Sequence, residues 1–369
     1  MKLMRSTDSV IVVGGGVFGC AVAYNLAKRG VAVTVIERDE LGAHASSNNP
    51  GNLNPIHGAP AALLPLSLKS FAMHEGLAAE LASLGCRPYE LLPVKRILLA
   101  FSEQDQPYLH ESAQAFAGID GFTALPLNRK ALSQFDDRVS REVQAGLLIT
   151  GNKSVNSALF HRALADGAAK LGATFVRDQV LDVRRDGSAI VGVRMQQGML
   201  PCDHIVFASG PWVAQAREWL GYEQKIKPVK GEMLRIALPG APLEYDFTFG
   251  MTSLYRRGTD ECWIGVTRED AGFDETPSDA GRRQLLQAAS RIMPTVADSQ
   301  VLAHTAALRP MAPDNVPLVG PVPGWENCYV ANGGGIKGML LCTGVGTAIA
   351  ELITDGRTTI PISIPEINQ

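Results

Sequence analysis

The first forty residues restrict this chain more than any other segment. Val10 to Val13 is a β-branched run suited to a buried parallel strand. It ends in Gly14-Gly15-Gly16-Val17-Phe18-Gly19. Ala21, Tyr24, Leu26 and Ala27 then recur at helical spacing up to Arg29-Gly30, where the glycine caps the helix. Val31 to Ile36 reads as a second strand, closed by Glu37, which completes a βαβ unit. Gly14, Gly16 and Gly19 fit the GxGxxG spacing in the context that gives it meaning: after a strand, opening a helix, with an acidic residue ending the next strand. Gly14 permits the tight turn, Gly16 lets the backbone approach a pyrophosphate, and Gly19 lets the helix lie close to the sheet. The helix start at Val17 and Phe18 offers N–H groups and positive partial charge to phosphates. Glu37 is placed to accept hydrogen bonds from ribose hydroxyls. The alternative is a glycine-rich turn in an ordinary α/β protein.

Composition narrows the rest. The chain has 369 residues, 46% of them hydrophobic, 19% charged, with a formal charge of −3. That excludes a disordered chain, leaves no electrostatic footprint for nucleic acid, and suits about two domains. Six scattered cysteines without a CxxC pair argue against a zinc site or a dithiol motif, so no metal is expected. Their low density fits reduced thiols in a cytoplasmic compartment, each acting as a small buried hydrophobe. Ser9 to Ala27 carries no charge, but four glycines and Asn25 interrupt it, so it reads as strand, turn and helix rather than a leader. Gly338 to Ala350 is also uncharged and is expected to be too short to span a bilayer.

Further along, Leu41 to Pro60 is a Gly-, Asn-, Ser- and Pro-rich loop too long for a simple connector. Helices are expected at about 61–84, 155–171, 279–292 (capped by Ser278) and 340–355. Strands are expected at 174–176, 180–183, 190–195 and 204–208, the last three forming a meander turned at Asp186-Gly187 and Gln197-Gly198. Residues 91–144 carry no clear signature. Antiparallel strands follow at 232–237, 252–257 and 262–267, the last pair turned by Gly258-Thr259-Asp260. Arg309 to Pro323 reads as turn-rich, and Cys328 to Ala331 as a strand leading into Asn332-Gly333-Gly334-Gly335-Ile336-Lys337-Gly338-Met339. A nicotinamide enzyme with this start would usually continue βαβ. A late meander and a second glycine-rich loop opening a last helix instead suit a long, extended FAD.

Taken in order, VIVVGGGVFGCAVAYNLAKRGVAVTVIER, HIVFASGPW, PVKGEMLR, LYRRGTDECWIGVT, AALRPMAPDNVPLVG and YVANGGGIKGMLLCTGVGTAIAELI resemble the FAD-dependent D-amino-acid oxidase family, in its glycine oxidase and sarcosine oxidase branch. The first segment is generic to flavoproteins; the ordered six are specific and run through almost the whole chain. The resemblance implies an α/β plus α+β fold: a glutathione-reductase-type FAD-binding domain over 1–85, 150–222 and 302–369, and an antiparallel-sheet substrate domain over 86–149 and 223–301. It implies FAD as cofactor, a small amine or amino acid as substrate, and oxidation to an imine with hydrolysis to an oxo acid. The electron acceptor is left open between oxygen and a partner, and the absence of an obvious membrane anchor favours oxygen or a soluble acceptor. Self-association is left open.

Position by position, it implies Glu37 and Arg38 beside the adenosine ribose, Ser46 and Ser47 near the pyrophosphate, and Val180 offering backbone hydrogen bonds to adenine. Ala208, Ser209, Gly210 and Trp212 would line the adenosine and ribityl part. Gly334, Gly335, Ile336, Lys337, Gly338 and Met339 would wrap the flavin. Arg309 looks like the arginine that clamps the substrate carboxylate, and Tyr255 like the tyrosine that assists it. Two departures stand out. Glycine oxidases often carry a second arginine where this chain has Ile336, which puts glycine itself in doubt as substrate. The loop GAHASSNNPGNLNPIHG is more Asn-rich than the family's, and in part resembles the oxidoreductase domain of a bifunctional tRNA-uridine enzyme. That reading ranks low, without a methyltransferase segment or basic excess.

A planar guanidinium suits a carboxylate, so Arg309 favours substrate binding over a domain-interface salt bridge. Tyr255 is equally readable as core. His44 and His57 are expected to be loop histidines bonded to backbone, and His74, His110 and His161 to be exposed. Lys230 and Lys337 could each position a water for oxygen reduction, lie at the surface or stabilise a reduced, anionic flavin; the last is the role expected of Lys337. Asp314 reads as a turn residue. Two other readings remain: an FAD enzyme oxidising a 2-hydroxy acid, and a nucleotide-binding subunit without chemistry of its own.

Overall fold

A computed structural model describes residues 8–258 and 261–363. In chain order the elements begin with β1 (Ser9–Val13), α1 (Val17–Lys28), β2 (Ala32–Glu37), β3 (Asn52–Leu53) and α2 (Leu64–Ser83). Next come β4 (Leu92–Ala100), α3 (Gln106–Phe116), β5 (Thr123–Asn128), α4 (Arg129–Leu132), β6 (Ala145–Ser154) and α5 (Ser157–Lys170). Then follow β7 (Thr174–Arg177), β8 (Val180–Asp186), β9 (Ala189–Met195), β10 (Gly198–Pro201), β11 (His204–Phe207) and α6 (Ala214–Leu220). The remainder is β12 (Lys227–Ala237), β13 (Asp246–Phe249), β14 (Thr252–Arg257), β15 (Glu261–Gly265), α7 (Asp279–Ile292), β16 (Gln300–Met311), β17 (Leu318–Pro321), β18 (Cys328–Asn332) and α8 (Gly338–Asp355). The chain divides into two units: the described parts of 1–91, 155–228 and 309–369, and those of 92–154 and 229–308.

The first unit is an α/β layer structure. Its sheet runs β17-β18-β11-β1-β2-β7, parallel except where β17 meets β18. Helix α1 packs on α8 and α5, and α2 on α8, so one face of the sheet is closed by an apolar cluster that includes Leu26, Leu164, Leu340 and Ile349. The other face is closed by a cluster with Ile190, Val193 and Phe207. A separate three-stranded sheet, β10-β9-β8, completes the unit.

That meander differs from expectation. Its third strand is Gly198–Pro201, while His204–Phe207 leaves it to pair in parallel with β1. The reason is burial: every residue of β11 is buried, the mark of a central parallel strand. Gly198 and Pro201 are poor strand formers, so β10 was invisible to propensity. The stretch expected to be turn-rich also differs. Arg309 lies within β16, and Leu318–Pro321 forms β17. A turn lies between them, where Asp314 Oδ1 accepts the Val316 N–H in an Asx turn, and another follows β17 at Pro323.

The second unit holds a mixed sheet in the order β16-β12-β15-β14-β13-β4-β6, with β5 on β6. Its pairs are largely antiparallel, but β13 and β4 run parallel, so the purely antiparallel expectation is corrected. Helix α7 starts where expected, with Ser278 Oγ accepting the Gly281 N–H. Its buried Leu285, Ala289 and Ile292 share a cluster with Leu234, Leu254 and Ile264 of the sheet. The turn residues Thr259 and Asp260 lie outside the described residues. All six cysteines are free, and all but Cys86 are buried.

The stretch Gly335–Asp355 is, by length and composition, long and apolar enough to cross a membrane, contrary to the sequence expectation. It is 78% buried, and α8 packs against α1 and α2 as a core helix.

Candidate active site

The glycine turn builds a cradle in the first unit. Gly14 has φ +107°, and a Cβ there would meet the Ala208 carbonyl oxygen at 2.5 Å. A Cβ on Gly19 would strike the Gly14 oxygen at 1.9 Å, so the helix can sit this close only without a side chain. At Gly16 a Cβ would press on Ser46 Oγ at 3.3 Å. Gly16, the N-cap of helix α1, offers no side-chain cap, and the first turn holds no acidic residue. Ser46 Oγ accepts the Val17 N–H at 2.9 Å, which leaves its own hydroxyl proton for another acceptor. Val17 and Phe18 are buried beneath this turn.

Glu37, at the end of β2, is held by two backbone donors. Its Oε2 accepts from Gly15 N at 2.7 Å and its Oε1 from Asp39 N at 3.0 Å. Beyond it, Trp212 has the Arg38 guanidinium 4.3 Å from its ring centroid and the His44 ring 4.4 Å away. His44 Nε2 and Arg38 Nε both lie 2.9 Å from Asp39 Oδ2. Hydrogen bonding from His44, with Arg38 alongside, holds the Asp39 carboxyl below its usual range. The Asp39 carboxylate is thus one polar partner of His44, which the sequence reading did not foresee. Ala208 is buried at the end of β11, and its N–H donates to Val13. Ser209 accepts the Trp212 N–H through its carbonyl, while the Gly210 carbonyl (φ +58° at Gly210) accepts from Asn332 Nδ2 at 2.9 Å. Val180 is buried at the start of β8.

The second glycine loop lies in the same unit. A Cβ on Gly334 would meet Gly338 Cα at 2.9 Å and the Phe18 ring at 3.0 Å, so this loop rests on the start of α1. Gly335 has φ +52°. Ile336 is 62% exposed and Met339 is buried. Lys337 is buried, and its Nζ donates to the carbonyls of Asn54 at 2.7 Å and His57 at 2.9 Å. Asn54 Oδ1 in turn accepts the N–H groups of Ile56 and His57. Helix α8 also starts without a side-chain cap or a first-turn acid. Two helix starts without an acidic residue in the first turn, a glycine turn and a serine hydroxyl make a donor set that fits a pyrophosphate-containing dinucleotide such as FAD.

Of the two residues expected to act on substrate, Arg309 stands in β16 within the first unit, partly buried. Tyr255 is buried in β14 of the second unit. It faces Trp263 across the ladder, with the Arg96 and Arg257 guanidinium groups 5.6 and 5.4 Å from its ring. Lys230, also in the second unit, is 2% exposed rather than on the surface. Its Nζ is 3.3 Å from Glu232 Oε1, and that carboxylate also accepts from Ser278 and approaches His304 Nε2 at 2.6 Å.

Three functional-looking residues escaped the sequence reading. Asn54 sat in a loop flagged only as a whole, and Asp39 was not singled out. His161 was expected to be exposed and is fully buried, as is His74, whose Nε2 meets the Leu340 carbonyl at 2.9 Å; His110 is exposed. The signal was available, because Leu164, Ala165 and Ala168 follow His161 at helical spacings of three, four and seven. Among the described residues no group of three or more His, Cys, Asp or Glu could hold a metal ion.

Residues 9–352 match the DAO family, FAD dependent oxidoreductase. The chain is 29% identical over 366 residues to a glycine oxidase of Geobacillus kaustophilus (strain HTA426), covering 98% of this chain and 96% of the relative. It is 28% identical over 372 residues to a glycine oxidase of Pseudomonas aeruginosa, covering 96% of each. The crystal structure of glycine oxidase from Geobacillus kaustophilus superposes with a TM-score of 0.91 at 27% identity, over 98% of this chain and all of that one. A near full-length match of this kind, on a chain whose glycine turn opens a helix, identifies a member of the DAO family of FAD-dependent oxidoreductases.

Proposed function

We propose that this FAD-dependent oxidoreductase oxidises a small amino acid or secondary amine, of the glycine, sarcosine or D-amino-acid kind, to an imine that water hydrolyses to an oxo acid. The observation that carries the reading is the near full-length likeness to glycine oxidases, joined to a turn shaped for pyrophosphate. The first unit serves as the FAD-binding domain, of glutathione-reductase type, and the second as the substrate domain. Bound FAD supplies the hydride acceptor. The chain's own work is binding and orientation. Gly14 to Gly19, with Ser46 and Ser47, hold the phosphates. Glu37, Arg38, Val180 and the Ala208–Trp212 turn hold the adenosine side, and Gly334 to Met339 wrap the flavin side. Arg309 clamps the substrate carboxylate through its two-pronged guanidinium, with Tyr255 assisting. Lys337, anchored by two carbonyls, brings a buried cation to that loop. Ile336 in place of a second arginine favours substrates other than free glycine, such as N-alkyl glycines. Electrons then pass to oxygen or a soluble acceptor.

The test is an anaerobic screen of amino acids, N-alkyl glycines and cyclic imino acids, following flavin absorbance. Bleaching by an amine, with ammonia or alkylamine released after hydrolysis, is the expected result. Bleaching only by 2-hydroxy acids would transfer the reading to alcohol oxidation.

A further inference from the structure

Helix α5 carries two polar side chains one turn apart, Ser157 and His161, both with no exposed surface. Their four-residue spacing puts them on one helix face. His161 Nε2 lies 2.8 Å from the Gly15 carbonyl oxygen. A carbonyl only accepts, so Nε2 carries the proton and the ring donates. The Cys20 thiol, 3.3 Å away, donates to the same oxygen. Ser157 Oγ lies 3.0 Å from the Ser47 carbonyl and 2.8 Å from the Asn49 carbonyl. The two backbone segments so held are the ones that surround the start of α1. Between them, Gly42 passes so close that a Cβ would come 2.6 Å from His161 Nδ1 and 2.7 Å from Ser47 Oγ.

Peptide planarity gives this a direction. In a trans peptide the C=O and the following N–H point opposite ways. Drawing the Gly15 carbonyl inward to His161 therefore aims the Gly16 N–H outward. Ser157 meanwhile fixes the chain just after Ser46, whose Oγ meets the Val17 N–H. We infer that Ser157 and His161 form a bracket beneath the phosphate cradle, positioning residues that preset the Gly15–Gly16 peptide and the Ser46–Asn49 segment for FAD without touching it. The inference rests on the reading of Gly14 to Gly19 as the cofactor's phosphate site. Burial pushes the His161 pKa down, so the ring stays neutral and keeps its donor on Nε2.

The experiment titrates FAD into apoprotein, following quenching of flavin fluorescence, and records the thermal midpoint of each apoprotein. His161→Leu keeps an apolar side chain but removes the donor. His161→Gln returns an N–H near the Nε2 position. His161→Leu is expected to weaken FAD about tenfold, the order of one lost hydrogen bond to a preorganised site. His161→Gln should bind within about threefold of wild type, and His161→Leu combined with Ser157→Ala should bind more weakly than either alone. Equal FAD affinity in His161→Leu and wild type overturns the bracket. So does a His161→Gln protein as weak as His161→Leu, which would make the histidine a packing residue only. If His161→Leu does not fold, Ser157→Ala decides: weaker FAD supports the bracket and unchanged affinity overturns it. A wild-type apoprotein that binds no FAD would instead overturn the cofactor reading itself.

Discussion

At the scale of single residues, Arg309 and His161 carry opposite lessons. Arg309 was singled out because a guanidinium among apolar neighbours and before a proline is an unusual place for a surface charge. Replacing it with Ala should leave FAD bound and lower kcat/KM about a hundredfold or more, the order of losing two charge-assisted hydrogen bonds. Steady-state kinetics with flavin absorbance as a loading control checks this; unchanged kcat/KM would remove Arg309 from the site. His161 was misread because exposure is not a property of a residue type. Its pKa is lowered from 6.5 in the fold, chiefly by burial. Protonation is therefore easier in the unfolded chain, so this contribution to stability is whole above about pH 6.5 and is lost as pH falls below it. The thermal midpoint of wild type should fall relative to that of His161→Gln as pH drops from 8 to 5. Parallel curves would show that the ring does not titrate against folding.

Among elements, the helix α8 shows how a packing contact outweighs local propensity. Gly346 would place a Cβ 2.6 Å from the backbone carbon and oxygen of Ala21 in α1. Gly346→Ala gains up to about 1 kcal/mol of helix propensity, but backbone cannot retreat as a side-chain tip can, and such overpacking costs about 1–3 kcal/mol. The net effect expected is a lower denaturation midpoint. Gly76 in α2 has nothing within 4 Å of such a Cβ, so Gly76→Ala should raise it by about 0.5–1 kcal/mol. Chemical denaturation of both variants checks the pair, and a stabilised Gly346→Ala would mean that α1 and α8 separate more readily than their contact implies. The same distinction explains the meander. Asp186-Gly187 and Gln197-Gly198 announce turns by local chemistry alone, and β8 and β9 follow from them. Which strand comes third depended on β11 being drawn to β1, a partner nearly two hundred residues earlier in the chain.

For the whole molecule, cofactor binding and stability are linked. A ligand that binds only the folded state stabilises it by RT ln(1 + [L]/Kd), about 2.7 kcal/mol at a hundredfold excess over Kd. The apoprotein's melting midpoint should therefore climb steadily with added FAD and less with ADP, which offers the phosphates without the flavin ring. A midpoint indifferent to FAD would contradict the site. Much of the first unit was readable in advance, since the βαβ start, the helix end at Gly30 and the glycine loop before α8 all rest on periodicity and capping within a few residues. The second unit was less so, because Leu92–Ala100 and Ala145–Ser154 find their partners far along the chain and advertise neither turn nor cap. What the amino acids settled alone was the set of local shapes and the type of ligand that a glycine turn admits. What the tertiary structure decided was which carbonyl each buried side chain meets, as with His161 and Gly15 at a separation of 146 residues, since burial and hydrogen-bond partners belong to the packing and not to the neighbouring sequence.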